Sequence, residues 1–268
     1  MKILILGDLM GNSGKKAIQE NLSKIIKDKK IDFTIINGEN AAEDGKGITK
    51  DIADELLDLG VDVITSGNHI WDKKETAEFI SKEERLLRPE NLAVGSPGSG
   101  HGIFLSKNKK YKVAVINLMG NVFMKKTEDV FTAAKNLQNK IKLKQNADFV
   151  IVDFHGEITS EKMAMGHYFD GKATAVVGTH THVPTADTRI LDNGTAYQTD
   201  IGMCGDYNSV IGMNKENSVM KFLNDPKAQR HFPAAGQSTL SGIIVEADVL
   251  TGLANKVERF IYGGVLNN

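Results

Sequence analysis

Two histidines separated by one residue, His180 and His182, are the first candidates for chemistry in this sequence. They follow the apolar run 173–177, whose shortness, β-branched residues and flanking glycines are typical of a buried strand. Open α/β sheets bind their ligands at the carboxyl ends of strands. Side chains at i and i+2 of an extended segment point the same way, so both imidazoles could bind a transition-metal ion. Such a pair can equally be solvated or hydrogen-bonded in a core, and the rest of the chain must decide.

Earlier apolar runs have the same arrangement. Residues 2–6, 33–36 and 61–65 are predicted strands, and each is followed by a segment with the apolar spacing of a helix. A further predicted strand covers residues 148–154. Polar residues follow these runs directly, namely Asp8, Glu39, Asn40, Asn68, His69 and His155.

Each of these polar residues has an ordinary structural explanation when it is taken alone. Asp8 could cap a helix, Asn40 could occupy a turn, and His69 could be a hydrogen-bonded loop histidine. Their repetition at equivalent strand ends is not explained in that way. Because the carboxyl ends of parallel strands lie together, the repetition favours one shared site.

The collected side chains offer oxygen and nitrogen ligands and no sulfur, a set that suits two divalent transition-metal ions. Glu39 is the predicted bridging carboxylate. Two ions about 3.5–4 Å apart can share a hydroxide that attacks a phosphoryl group in line. His69, next to Asn68, is the predicted proton donor to the leaving oxygen.

A glycine-rich turn after the first strand suggests a phosphate-binding P-loop as an alternative. A P-loop has four residues between its glycines and a Ser or Thr after its lysine. Here Gly11 and Gly14 are closer together, and Lys16 stands where the hydroxyl residue belongs. The P-loop interpretation is therefore disfavoured.

The composition is that of an ordinary globular protein. The chain has 268 residues, 41% of them hydrophobic, and its net charge of −1 provides no basic field for a long nucleic acid. The single cysteine, Cys204, excludes an intrachain disulfide, fits a reducing compartment and is interpreted as structural. No run approaches the roughly 20 apolar residues that span a bilayer, and no signal peptide is recognised, so we expect a cytoplasmic protein without membrane contact.

The remaining patterns predict a single domain over 1–268, with a small pairing subregion near 81–110 as a variant. Asn193-Gly194 predicts a type I′ hairpin turn, Thr49 and Ser160 are predicted helix caps, and 202–236 is predicted to be irregular. Predicted helices cover 17–27, 50–59, 71–80, 128–142 and 160–165. Three strand pairs are predicted, namely 102–105 with 112–118, 189–191 with 196–199, and 241–246 with 255–262.

The motifs as a whole resemble the calcineurin-like metallophosphoesterases. The strings Asn-Gly-Glu-Asn-Ala-Ala from Asn37, Gly-Asn-His-Ile-Trp-Asp from Gly67 and Val-Gly-Thr-His-Thr-His-Val from Val177 are similar to one bacterial subgroup, the YmdB-type phosphodiesterases. Gly7-Asp8 and His155 complete the motif order, so the resemblance covers almost the whole chain.

This resemblance implies a four-layer α/β/β/α sandwich with two facing mixed sheets flanked by helices. It also implies a phosphodiesterase with two iron or manganese ions, zinc being an alternative, that acts on cyclic nucleotides, 2′,3′-cyclic ones foremost. His69 is the implied proton donor. One metal is implied to take Asp8, Glu39, Asn40 and His182, and the other Glu39, Asn68, His155 and His180.

Two motifs depart from the broader superfamily. The first superfamily motif is Asp-x-His, whereas Asp8 is followed here by Leu9 and Met10. The second is Gly-Asp-x-x-Asp, where this chain has Gly38-Glu39-Asn40. Asn40 is interpreted as replacing the missing histidine ligand, and an amide is a weaker donor than an imidazole.

Three functions remain open at this level. A phosphodiesterase leads, a phosphomonoesterase acting on nucleotides or phosphoproteins could use the same centre, and a non-catalytic sensor could bind metal and a phosphorylated ligand. The presence of His69 favours an enzyme, since a binder needs no proton donor. We expect a small-molecule phosphate ester as substrate and a homo-oligomeric state. Lys46, between Gly45 and Gly47, is either a solvated lysine or a cation that swings over a bound phosphate.

Overall fold

The first strand contributes to two separate cores. In the computed structural model, which describes residues 1–266, strand β1 (Lys2–Leu9) is almost wholly buried. Side chains alternate across a strand. Leu4 and Leu6 therefore pack on the side covered by helices, whereas Ile3 and Ile5 pack into an apolar layer shared with a second sheet.

The first sheet has six strands in the order β12-β11-β10-β1-β2-β3. Strand β1 is parallel to β2 and to β10, β2 is parallel to β3, and β11 and β12 are antiparallel to their neighbours. Its further strands are β2 (Phe33–Asn37), β3 (Val63–Thr65), β10 (Met203–Asp206), β11 (Ser238–Ala247) and β12 (Ala254–Tyr262).

The second sheet also has six strands, in the order β4-β5-β6-β7-β9-β8. Its centre is parallel, and antiparallel strands β4 and β8 form the two edges. The strands are β4 (His101–Leu105), β5 (Lys112–Met119), β6 (Phe149–His155), β7 (Ala175–Thr179), β8 (Arg189–Ile190) and β9 (Ala196–Gln198).

Helices cover the outer faces of both sheets. One outer core joins the first sheet to helices α1 (Gly11–Lys29) and α2 (Lys50–Asp58), and another joins the second sheet to α4 (Val130–Lys140) and α5 (Thr159–Phe169). The predicted four-layer α/β/β/α sandwich is confirmed. Two shorter helices are α3 (Thr76–Phe79) and α6 (Lys215–Phe222). Within residues 1–266, none of the helices has the length and apolarity needed to cross a bilayer.

Several local predictions are wrong. Residues 71–80 form turns and the four-residue helix α3 instead of a continuous helix, and 202–236 contains β10 and α6. The Ser160 cap is also wrong, because Ser160 lies inside α5 and the residue before that helix, Ile158, makes no capping hydrogen bond. The Thr49 cap is confirmed, because its side chain accepts a hydrogen bond from the backbone N–H of Ile52. Asn193 is not in the left-handed region, so its turn is not type I′. The single-domain assignment stays a prediction.

A buried carboxylate links the two sheets beneath their carboxyl ends. Asp153, on β6, accepts hydrogen bonds from Asn37 Nδ2 at 3.0 Å, from the Thr65 hydroxyl, and from Thr179 Oγ1 at 2.8 Å. Asn37 and Thr65 end strands of the first sheet, and Thr179 ends β7 of the second. The ends of the two sheets are therefore connected by directional bonds as well as by apolar packing.

This link predicts the effect of Asp153→Leu. The change removes the carboxylate acceptor shared by one amide and two hydroxyl donors, and a hydrogen bond to a charged group contributes about 1.5–3 kcal/mol. We expect the free energy of unfolding in urea to fall by on the order of 3 kcal/mol. Asp28→Leu, at an exposed position of α1, is the matched control and should change it by less than about 0.5 kcal/mol. An unchanged or higher stability of Asp153→Leu would mean that burying the carboxylate costs more than its bonds contribute.

Candidate metal centre

The predicted site residues lie where the carboxyl ends of strands from both sheets meet. Asp8 is the penultimate residue of β1, so the prediction that the first strand covers only 2–6 is wrong. His155 is the last residue of β6. The other site residues follow β2, β3 and β7 directly. They are Glu39, Asn40, Asn68, His69, His180 and His182.

Gly67 allows the chain after β3 to approach the centre. A Cβ atom at this position would lie 2.3 Å from His155 Nε2 and 2.4 Å from Glu39 Oε2. No side chain fits in that space. The glycine of the Gly-Asn-His motif is therefore required by the closeness of two other site residues, and it brings Asn68 and His69 to the centre.

The side chains form two groups that share one carboxylate. Candidate ligand atoms of Glu39, His155 and His180 lie within 4.8 Å of one another, and so do those of Asp8, Glu39 and His182. The two amides join one group each. Asn68 Oδ1 is 3.1 Å from His155 Nε2, and Asn40 Oδ1 is 3.1 Å from His182 Nε2.

His180 and His182 do not lie in an extended segment. Their φ angles are +103° and +66°, in the left-handed region that side chains rarely adopt. The expectation that both imidazoles point the same way because they are two residues apart is therefore wrong. The backbone turns between them, and each histidine belongs to a different group.

Hydrogen bonds to a buried carboxylate hold that turn at Thr181. Asp200 Oδ2 accepts from the backbone N–H of Thr181 at 3.1 Å and from its hydroxyl at 2.8 Å. The same oxygen lies 2.6 Å from Lys162 Nζ, and both side chains of this ion pair are only 1% exposed. Because Thr181 lies between the two histidines, one anchored residue fixes the position of both.

Each ring is also oriented by a second partner. His155 Nδ1 is 2.9 Å from Thr179 Oγ1, which itself bonds to Asp153. His182 Nδ1 donates to the carbonyl of Ile211 at 2.8 Å, and His180 Nε2 lies 3.1 Å from Glu157 Oε2. Such outer partners fix the tautomer and angle of histidines that bind metals.

The charged side chains of this centre interact strongly because they are buried. Burial opposes the ionisation of Glu39, but the charge of His155 and its hydrogen bond lower the pKa of Glu39 to about 2. Burial likewise opposes a charge on His155, but the Glu39 carboxylate raises the pKa of that imidazole to about 9. Burial, with repulsion from His155, lowers the pKa of His180 to about 3, so this ring is neutral and can act as a ligand.

Asp8 gives the clearest sign that a cation fits this centre. Its Oδ1 atom is buried and has no hydrogen-bond partner among the described residues, and burial raises the pKa of Asp8 to about 7. A divalent ion would complete the coordination of that oxygen and replace the proton that His155 holds beside Glu39. The residues present fit two such ions. Their ligation and the choice between iron, manganese and zinc stay predictions.

His69 lies beside the centre with a partner that sequence reasoning missed. Its backbone N–H donates to Glu39 Oε2 at 3.1 Å, and its Nδ1 is 2.7 Å from Asp72 Oδ2. The spacing of three residues between His69 and Asp72 was a usable signal. No sequence signal, by contrast, indicated that Lys162 is buried, because a lysine on a helix usually faces water.

Residues away from the centre have structural roles. Cys204, interpreted from the sequence as structural, is fully buried, and burial raises the pKa of its thiol to about 12. His101 pairs with Glu90 at 3.2 Å and begins the edge strand β4. Lys46 is half-buried and its backbone N–H is 3.3 Å from Asp44 Oδ1, which leaves both interpretations of its side chain open.

Comparison with known proteins gives consistent matches over nearly the whole chain. The sequence model of the YmdB-like proteins matches residues 4–260. A relative from Bacillus subtilis strain 168, named 2′,3′-cyclic-nucleotide 2′-phosphodiesterase, is 45% identical over 97% of this chain and 97% of its own.

Two solved structures have the same fold throughout. A hypothetical protein from Thermus thermophilus matches with a TM-score of 0.89 and 37% identity, covering 98% of this chain and 100% of that chain. A protein from Mycoplasma pneumoniae described as a novel phosphatase matches with a TM-score of 0.88 and 37% identity, covering 98% and 93% of the two chains.

The shared position of Glu39 predicts how metal is lost. Glu39→Ala removes a carboxylate from both groups at once, so we expect the purified variant to lose both ions, as measured by elemental analysis per chain. Glu43→Ala, at a nearby exposed position, is the control and should bind metal as the unaltered protein does. One ion still bound at full occupancy in Glu39→Ala would contradict the bridging role.

Proposed function

The chain belongs to the YmdB-like protein family, and from this premise we propose that it is a metal-dependent phosphodiesterase that hydrolyses 2′,3′-cyclic nucleotides. The observation that carries the proposal is the single buried carboxylate, Glu39, shared by two groups of candidate ligands. The name of the Bacillus subtilis relative supports the substrate class and cleavage at the 2′ position. A cytoplasmic location and a homo-oligomeric state stay predictions.

Seven residues would hold two divalent ions in this proposal. Asp8, Asn40 and His182 would bind one, Asn68, His155 and His180 the other, and Glu39 both. When bound, such ions neutralise charge on a phosphodiester and lower the pKa of water so that it can attack phosphorus. The chain contributes the spacing of the two groups, which Asp200 and Asp153 support from beneath through Thr181 and Thr179.

His69 supplies the proton that the reaction needs. Hydrolysis adds water across the P–O2′ bond and leaves a nucleoside 3′-phosphate, and O2′ must be protonated as it departs. Asp72 accepts from His69 Nδ1, which leaves Nε2 as the atom that transfers the proton. This contact fixes the orientation and tautomer of the imidazole, so Asp72 is a positioning residue for this step.

A comparison of diester and monoester substrates tests the proposal. With manganese or iron supplied, we expect turnover of bis-p-nitrophenyl phosphate and of 2′,3′-cyclic AMP to exceed that of p-nitrophenyl phosphate. Preference for the monoester would instead establish a phosphomonoesterase. Metal binding with no turnover of any of the three would establish a sensor.

The role of His69 predicts a substrate-dependent loss of activity. General acid catalysis contributes about 10²–10⁴-fold, but a nitrophenolate leaves readily without a proton. His69→Ala should therefore retain both metals, lose activity on 2′,3′-cyclic AMP by about that factor, and lose less on bis-p-nitrophenyl phosphate. Asp72→Asn should show the same pattern more weakly. Equal losses on both substrates would point to His69 stabilising the charged phosphoryl group instead.

A further inference from the structure

The segment 120–129, which joins β5 to α4, contacts the proposed metal centre at two points. The backbone N–H of Gly120 donates to the carbonyl of His155 at 2.9 Å. Farther along, Lys125 Nζ donates to the carbonyl of Asn68 at 2.7 Å and lies 3.8 Å from Asp72 Oδ1. Both contacts are made to residues that line the centre, so the part of the loop between them lies at its rim.

The base of this loop is held in place. The backbone N–H of Asn121 donates to Glu161 Oε1 at 2.9 Å. The Asn121 side chain donates to Thr127 Oγ1 at 2.8 Å and accepts from the backbone N–H of Val130 at 2.9 Å. These hydrogen bonds tie the two ends of the loop together. The residues between them, 122–126, form its tip.

Phe123 lies in that tip and is unusual in both its backbone conformation and its exposure. Its φ angle is +60°, which is rare for a bulky residue, and 86% of it is exposed. Neither feature contributes to folding, because left-handed backbone is strained for a bulky residue and an exposed ring buries no apolar surface. A strained residue held at the edge of a site suggests a role in binding.

We propose that Phe123 is the platform on which the nucleobase of the substrate stacks. This inference rests on the proposed function, because it takes a 2′,3′-cyclic phosphate at the metal centre as given. The phosphate and the base are carried by one ribose ring, so a phosphate at the centre places the base at the rim. An aromatic face accepts any base by stacking, which gives affinity for nucleotides without selecting one sequence or base.

Lys125 adds a charge to the same rim. Its ammonium group lies between the carbonyl of Asn68 and the carboxylate of Asp72, and its side chain is 60% exposed. A cation there attracts the anionic diester, and Phe123 contacts the opposite end of the substrate. Lys125 attracts any anionic diester, whereas Phe123 favours a diester that carries a base.

The test compares substrates with and without a base. Glycerol 1,2-cyclic phosphate has the same five-membered cyclic diester as 2′,3′-cyclic AMP but carries no base. Phe123→Ala should lower kcat/KM for 2′,3′-cyclic AMP by on the order of 10- to 100-fold, the range for losing one stacked base. Its kcat/KM for glycerol 1,2-cyclic phosphate should stay within about twofold, and Phe123→Trp should restore the nucleotide activity.

Phe222→Ala is the matched control, since Phe222 is another aromatic residue that is 82% exposed and it lies on α6. It should leave kcat/KM for both substrates unchanged. An equal fall on both substrates in Phe123→Ala, or no fall on either, would overturn the platform. A change of oligomeric state in Phe123→Ala, measured by light scattering, would show instead that a second copy of the chain covers Phe123.

Binding measurements separate this inference from the proposed function. Calorimetry compares adenosine 3′-monophosphate with glycerol phosphate on the manganese-loaded protein. If the unaltered protein turned over neither cyclic diester, the proposed function would fail. A nucleotide-specific loss of affinity of about 10-fold or more in Phe123→Ala would still support the platform, and equal affinities in both proteins would overturn it.

Discussion

Three carboxylates buried at the junction of the two sheets impose the main constraint on this structure. Asp8, Glu39 and Asp153 are at most 2% exposed. A buried charge is expensive unless hydrogen bonds or opposite charges compensate it. Asp153 is compensated by three donors from both sheets, and Glu39 by His155, whereas Asp8 keeps one oxygen without a hydrogen-bond partner in residues 1–266. A divalent cation beside Asp8 would compensate the charge of that carboxylate.

The support of the centre is distributed over elements that are distant in sequence. Asp200 and Lys162 anchor Thr181, while Asp153 and Thr179 orient His155. These groups touch the candidate ligands or their neighbours in the chain. Since hydrogen bonds of this kind set the angle and tautomer of a metal-binding ring, the geometry of the centre depends on a buried polar layer as much as on its ligands.

The floor of the site, formed by the buried candidate ligands, differs from its rim, formed by the loop 120–129, in a way that suits two tasks. The floor is charged, buried and fixed by many hydrogen bonds, which suits chemistry on a phosphoryl group that every substrate shares. The rim carries exposed side chains on loops, including Phe123 and Lys125, where a change of residue has little effect on the core. In the proposed function, the buried groups act on the phosphoryl group and the loop residues recognise the rest of the substrate.

The sequence alone indicated most of the strands and the candidate ligand types, because apolar runs and the polar residues that follow them are local patterns. The resemblance of its motifs to a known family implied the four-layer fold, which is confirmed. The candidate ligands lie in two neighbouring groups, and their roles stay predictions. The sequence misjudged the turn between His180 and His182, since their left-handed backbone is imposed by contacts with Asp200. It also gave no sign of the buried Lys162. Such features depend on groups far apart in the chain, and only the packing of two sheets against each other decides them.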